Sequence, residues 1–85
     1  MITKKELRDI VNRYDPIGLL DFCPENEYDP EIERIRARVK KGMTADEIAV
    51  IIHAVFLEMF DESLDNNLSM IMAKEILFQI YLSST

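Results

Sequence analysis

The chain has 85 residues, of which 48% are apolar, and 16 acidic against 10 basic side chains give it a formal net charge of −6. This length holds one domain around one hydrophobic core, and the apolar content excludes an intrinsically disordered chain. The negative charge repels nucleic acid and anionic lipid, so it argues against both as partners and favours a basic protein.

The first helix is predicted by a capping box and by an apolar stripe. Thr3 and Glu6 have the spacing at which each side chain bonds to the backbone N–H of the other residue. Apolar side chains then recur at helical intervals, at Leu7, Ile10, Val11 and Tyr14. Because Pro16 moves the preceding residue away from the α conformation, we expect this helix over about 3–14.

A long connection at 15–28 follows, and the sequence predicts that it is ordered. Connections between helices in small bundles usually take about 2 to 8 residues. Four apolar side chains make this connection too apolar for a free loop: Ile17, Leu19, Leu20 and Phe22. We therefore expect a single helical turn, opened by Asp15 and Pro16, and then a segment tucked against the core.

This connection also belongs to the candidate partner-binding surface. From Asp15 to Glu33 the chain has seven acidic residues and no Lys or Arg. Acidic side chains and aromatic rings on a segment stiffened by prolines can bind a basic partner at a low ordering cost. The predicted contacts are Asp15, Glu25, Glu27 and Tyr28. In the alternative interpretation the aspartates are only caps, the tyrosine covers the core and the glutamates face water.

A second helix is predicted over about 29–41. Asp29 suits the N-cap and Pro30 the first helical position. A narrow apolar stripe follows, at Ile32, Ile35 and Val39. Gly42 is typical of the stop beyond a helix C-terminus.

Two further helices are predicted over about 44–60 and 67–83. Thr44 and Glu47 repeat the capping box. Residues 48–60 are apolar almost all round, which is typical of a central helix. Beyond a polar turn, apolar residues mark the fourth helix: Leu68, Ile71, Met72, Ile76, Leu77 and Ile80. Since no segment has a convincing strand pattern, we predict an all-α, compact array of four helices in a single domain, 1–85.

Patterns typical of catalysis or of metal binding fail at their required positions. His53 is the only histidine and lies within the most apolar helix, so we interpret it as structural. Glu25, Glu27 and Asp29 have the first spacings of a calcium loop, but proline and arginine stand where that loop needs glycine and glutamate. No Lys or Arg lies between 42 and 73, which argues against a DNA-recognition helix there. We predict no catalytic residue, no metal, no cofactor and no enzyme activity.

The predicted location is the cytoplasm. Cys23 is the only cysteine, so it cannot form a disulfide within the chain, and no secretory signal pattern opens the sequence. The longest apolar stretch has about ten residues, 48–57, whereas a membrane span needs roughly 20.

Two segments resemble the YugE-like family of small all-helical bacterial proteins of unknown function. They are Tyr-Asp-Pro-Ile-Gly-Leu at 14–19 and Cys-Pro-Glu-Asn-Glu-Tyr-Asp-Pro at 23–30. By length and helix order the resemblance spans nearly the whole chain, although its motifs are confined to 14–32. It implies a roughly orthogonal array of four helices and supplies no activity, substrate or catalytic residue. An acid is common in that family where this chain has Asn26, which argues against a cation site at this position.

Three functions follow from these patterns. The first is an interaction module that binds a basic protein through the acidic segment. The second is an immunity or antitoxin-type inhibitor of a basic toxin, by analogy of size, acidity and helix number. The third is a structural module that forms a homodimer through the fourth helix, because the apolar surface of the last two helices exceeds what their neighbours cover.

Overall fold

The protein folds into four helices, as predicted. The structure, a computed structural model, describes residues 2–18 and 27–83. The helices are α1 (Lys4–Tyr14), α2 (Asp29–Arg38), α3 (Ala45–Phe60) and α4 (Asn66–Ser83). The described residues contain no strand, so the all-α class is confirmed. Most of the predicted ordered connection, including Phe22, Cys23 and Glu25, lies outside the described residues.

The predicted capping boxes open α1 and α3. Thr3 Oγ1 accepts the N–H of Glu6 at 3.1 Å, and Glu6 Oε1 accepts the N–H of Thr3 at 2.8 Å. Thr44 and Glu47 make the same two bonds at 3.2 and 2.9 Å. Each box satisfies two backbone donors that the first turn of a helix leaves without partners, which fixes where the two helices begin.

The end of α1 also follows the prediction. Asp15 has left-handed backbone angles (φ 43°, ψ 60°), and its N–H still bonds to the carbonyl of Val11 at 2.9 Å. The chain then makes one turn in place of the expected helical turn, closed by a bond of 3.0 Å from Gly18 N–H to the carbonyl of Asp15.

The predicted caps of α2 are wrong at both ends. Asp29 is the first residue of the helix and Tyr28 occupies the N-cap position. The helix ends at Arg38, three residues before the predicted end, because Val39 is extended (φ −74°, ψ 127°) and its side chain enters the core with 1% exposure. Gly42, at φ 91°, belongs to the turn that follows and not to the helix stop.

Asp29 joins α2 to α1 instead of capping its own helix. Its two carboxylate oxygens accept from Arg8 Nε and Nη2 at 3.0 and 2.9 Å. The Arg8 guanidinium holds the pKa of Asp29 below its ordinary value through this bidentate pair. The N-terminus of α2 is thereby held against the middle of α1.

The helices enclose one core. α3 and α4 share the most extensive contact, while α1 lies against α2 and α4, and α2 lies against α1 and α3. The radius of gyration, 11.9 Å, is about the value expected for a compact domain of this length. The largest side chains buried in this core are Tyr28, Phe56, Leu7, Ile32, Ile35, Ile48, Ile52, Met72 and Ile76.

Candidate protein-binding surfaces

Tyr28, one of the predicted partner contacts, lies inside the core. Its side chain is 0% exposed. Its hydroxyl donates to Asp15 Oδ1 at 2.6 Å and accepts from the N–H of Ile17 at 3.0 Å. A contact with a partner requires an accessible ring, and the structure instead places this ring where the alternative interpretation had it, covering the core.

The ring of Tyr28 forms an aromatic cluster with α3. Its centroid is 6.0 Å from that of Phe56 and 6.4 Å from that of Phe60, and the two phenylalanine rings stack at 5.8 Å. The sequence contains a pattern that predicts the burial of this ring. Tyr28 precedes Ile32 by four residues and Ile35 by seven, so it continues the apolar stripe of α2 by one more turn.

The other predicted contacts do not form a common surface in the described residues. Asp15 is half-buried, ends α1 and accepts the Tyr28 hydroxyl. Glu27 is exposed in the turn before α2, and Glu25 lies outside the described residues. Of the four predicted contacts, Asp15 and Tyr28 are thus in contact with each other, through a hydrogen bond inside the fold.

Glu31 is an acid of the same segment that the sequence did not single out. The residue is only 2% exposed, and its Oε1 has no hydrogen-bond partner among the described residues. Burial, together with the nearby charge of Glu27, raises the pKa of Glu31 above its ordinary value. The ionised form of Glu31 therefore lowers the free energy of unfolding.

Replacement of Glu31 with methionine is expected to raise the free energy of unfolding at pH 7 by about 1 kcal/mol, because it removes a buried carboxylate whose Oε1 has no hydrogen-bond partner among the described residues. Because the pKa of Glu31 is raised in the folded state, its charge destabilises the fold most strongly above the folded-state pKa. This destabilisation disappears below the ordinary pKa of 4.5, where the carboxyl is protonated in both states. The gain should therefore shrink as the pH falls. Thermal unfolding across this pH range measures it, with Glu33→Met on the exposed side of α2 as the control.

An apolar groove runs between α3 and α4. Its volume is about 450 Å³, and we name it the α3–α4 groove. Two large side chains on its α3 side face solvent, since Val50 is 68% exposed and Leu57 44% exposed. The groove is lined by Asp46, Ala49, Val50, His53, Ala54 and Leu57 of α3, and by Asn66, Ser69 and Met70 of α4.

Small side chains make room for this groove. Ala49 and Ala54 from α3 and Ser69 from α4 line it, and none of them fills the space between the helices. Val50, Ala54 and Leu57 follow one another at i, i+4 and i+7, so they form one face of α3. This face is separate from the buried stripe of Ile48, Ile52, Val55 and Phe56.

His53, which the sequence indicates to be structural, is half-buried and lies in this groove. Its Nε2 is 2.9 Å from Ser63 Oγ, which ties the segment after α3 back onto the helix. Activation of a serine needs a third group that orients the histidine, and no further partner of the ring is present in the described part of the chain. Residues 2–18 and 27–83 also contain no cluster of His, Cys, Asp or Glu that could hold a metal ion.

The surroundings of the groove are acidic. Asp46 lines it, and Asp61, Glu62 and Asp65 are exposed in the connection from α3 to α4. The carboxylate of Glu58, also on α3, forms ion pairs with Arg34 and Arg38 of α2 at 3.3 and 2.8 Å. The absence of Lys and Arg from 42 to 73, which argued against DNA, means that α3 and its connection to α4 contribute no Lys or Arg to this surface.

A second apolar surface lies on α4. Ile71 is 46% exposed, Phe78 65%, Tyr81 73% and Leu82 50%; we name these four residues the outer α4 face. They lie opposite the buried stripe of α4, which consists of Ser69, Met72, Ala73, Ile76 and Ile80. Ile71 is predicted to belong to the apolar stripe of the helix, but it is exposed and lies seven residues before Phe78, on this outer surface.

Within the described residues, no helix has both the length and the apolar character that crossing a membrane requires. No family model matches the chain, and neither a curated protein nor a solved structure matches it. The resemblance to the YugE-like family therefore stays a prediction.

Proposed function

We propose that the protein is a non-catalytic cytoplasmic interaction module that binds a basic amphipathic helix of a partner protein in the α3–α4 groove. The observation that carries this proposal is the exposure of Val50 and Leu57 beside an apolar groove in a segment of the chain that has acids and no bases. The basic partner inferred from the sequence is retained. The proposed binding surface is the groove and not the acidic connection, because Tyr28 is buried.

The shape of the groove favours a helix as the occupant. The groove extends along α3 from Asp46 to Leu57, about three turns of that helix, and its other side is formed by Asn66, Ser69 and Met70 at the start of α4. Peptides that bind between helices do so through apolar anchors at i, i+3 or i+4, and i+7, inserted into a hydrophobic groove. A helical segment with such a stripe can cover Val50 and Leu57 and remove them from water.

The charge of the surroundings favours basic flanks on that helix. Asp46 lines the groove, and Asp61 and Glu62 are exposed in the connection that His53 holds through Ser63, with no Lys or Arg on the same segment. Lysines on either side of an apolar stripe would meet these acids at the rim, where opposite charges increase the association rate and select against acidic partners. The net charge of −6 acts in the same direction at longer range.

The test uses a synthetic helical peptide of about 18 residues, with leucines on one face and lysines on its flanks. Its affinity is measured by fluorescence anisotropy for the native chain and for Val50→Ser with Leu57→Ser. Because both side chains are exposed, the double variant should stay folded, and its affinity should fall at least about tenfold. Phe78→Ser with Tyr81→Ser removes two large exposed side chains outside the groove, and this variant should bind the peptide as the native chain does.

Two results would contradict the proposal. One is unchanged affinity of the Val50→Ser, Leu57→Ser variant, which would separate binding from the groove. The other is equal binding of a second peptide that carries glutamate in place of every lysine, which would remove the argument from charge.

A further inference from the structure

We infer that the outer α4 face joins two copies of this chain into a two-fold homodimer. This surface is distinct from the α3–α4 groove, and the inference does not depend on the proposed function. It starts from the exposure of Phe78 and Tyr81, at 65% and 73%, the two most exposed aromatic rings in the described part of the chain. Burial of aromatic rings contributes strongly to the stability of interfaces.

The arrangement of the four side chains suits helix-to-helix packing. Phe78 follows Ile71 by seven residues and Leu82 follows it by eleven, so they lie on one side of α4 over three turns. A self-complementary surface can meet its copy about a two-fold axis. With the two α4 helices antiparallel, Ile71 of one copy lies near Leu82 of the other, and the two Phe78 rings lie between these contacts.

The charge of α4 selects a second copy as the occupant. Among its 18 residues only Lys74 and Glu75 are charged; both lie between Ile71 and Phe78 on the outer side of α4, and their opposite charges leave the helix with no net charge. Two chains of net charge −6 repel each other, and that repulsion is weaker at a surface where the acid Glu75 is accompanied by Lys74 and Arg13 than at the acidic groove. A basic partner, in contrast, would meet no cluster of acidic side chains on this surface, and its electrostatic attraction to the α3–α4 groove is stronger.

The size of the surface sets the expected affinity. The four side chains expose roughly 400 to 500 Å² of apolar area, which is within the range of the largest patch on a typical monomer. With their polar surroundings, two such patches bury about 1,000 Å² in total, at the low end for specific association. The dimer should therefore have a dissociation constant on the order of tens of micromolar and exchange with monomer.

Sedimentation velocity on the full chain tests this inference at concentrations from about 1 to 300 µM, which bracket the expected dissociation constant. The native chain should pass from its monomer mass of 9.9 kDa to twice that mass as concentration rises. Phe78→Ser with Tyr81→Ser should remain monomeric throughout, with at least about a tenfold weaker association. Val50→Ser with Leu57→Ser is the matched control and should form dimers as the native chain does.

Circular dichroism of each variant shows whether it is folded, so a loss of association can be assigned to the surface. A native chain that stays at the monomer mass at every concentration would overturn the inference. So would assemblies that grow beyond the dimer, since these require contacts that do not close about a two-fold axis. Dimers of Phe78→Ser with Tyr81→Ser at native strength would place the interface elsewhere.

Discussion

Replacement of Phe56 with alanine is expected to lower the free energy of unfolding by about 3 to 5 kcal/mol. Phe56 is fully buried, and its ring packs against that of Tyr28, at the start of α2, and that of Phe60, the last residue of α3. The smaller side chain loses the contacts of the ring and leaves a cavity at the centre of this cluster. A domain of this length has only about 4 to 13 kcal/mol of stability, so the variant should be close to unfolding.

Urea unfolding followed by far-ultraviolet circular dichroism measures this loss. Val50→Ala on the same helix is the control, because its side chain is 68% exposed and its removal should change the free energy of unfolding by less than about 0.5 kcal/mol. Equal losses for the two variants would mean that the aromatic cluster is not the centre of the core.

Replacement of Tyr28 with phenylalanine is expected to cost about 2 kcal/mol of stability, although it removes one oxygen atom. The buried hydroxyl accepts from the N–H of Ile17 and donates to Asp15, so its loss leaves a backbone donor and a carboxylate short of a bond. The affinity for the lysine-flanked peptide should be unchanged in conditions where the variant is folded, because the hydroxyl lies in the fold and not on a binding surface.

Tyr81→Phe is a matched control for this experiment, since it removes the same atom from a ring that is 73% exposed. Its free energy of unfolding should stay within about 0.5 kcal/mol of the native value. If Tyr28→Phe were as stable as the native chain and bound the peptide more weakly, the result would support the sequence-based prediction that Tyr28 contacts a partner.

The elements that the sequence predicts well are those set by neighbouring residues. A capping box needs only four residues, so Thr3 with Glu6 and Thr44 with Glu47 place the starts of α1 and α3 before any packing is known. The end of α2 is different. It depends on Val39 leaving the helix to enter a core formed by segments far away in the chain, and no local pattern contains that information.

The same distinction applies to the candidate surfaces. The acidic surroundings of the groove follow directly from the lack of Lys and Arg between 42 and 73. The exposure of Val50 and Leu57 does not, because α3 is apolar almost all round and only the positions of α2 and α4 decide which side stays uncovered. Tyr28 is an intermediate case. Its spacing from Ile32 and Ile35 indicates a buried position, whereas its acidic neighbours indicate a position on the surface.

The most direct test of the groove as the binding surface is the mapping of amide chemical shifts. The isotope-labelled chain is titrated with the lysine-flanked peptide, and the perturbed amides are located in the structure. Binding in the α3–α4 groove predicts that the largest changes fall on Val50, Ala54, Leu57 and Met70, which line it. Changes concentrated on Asp15 and Glu27, with these four residues unperturbed, would contradict it.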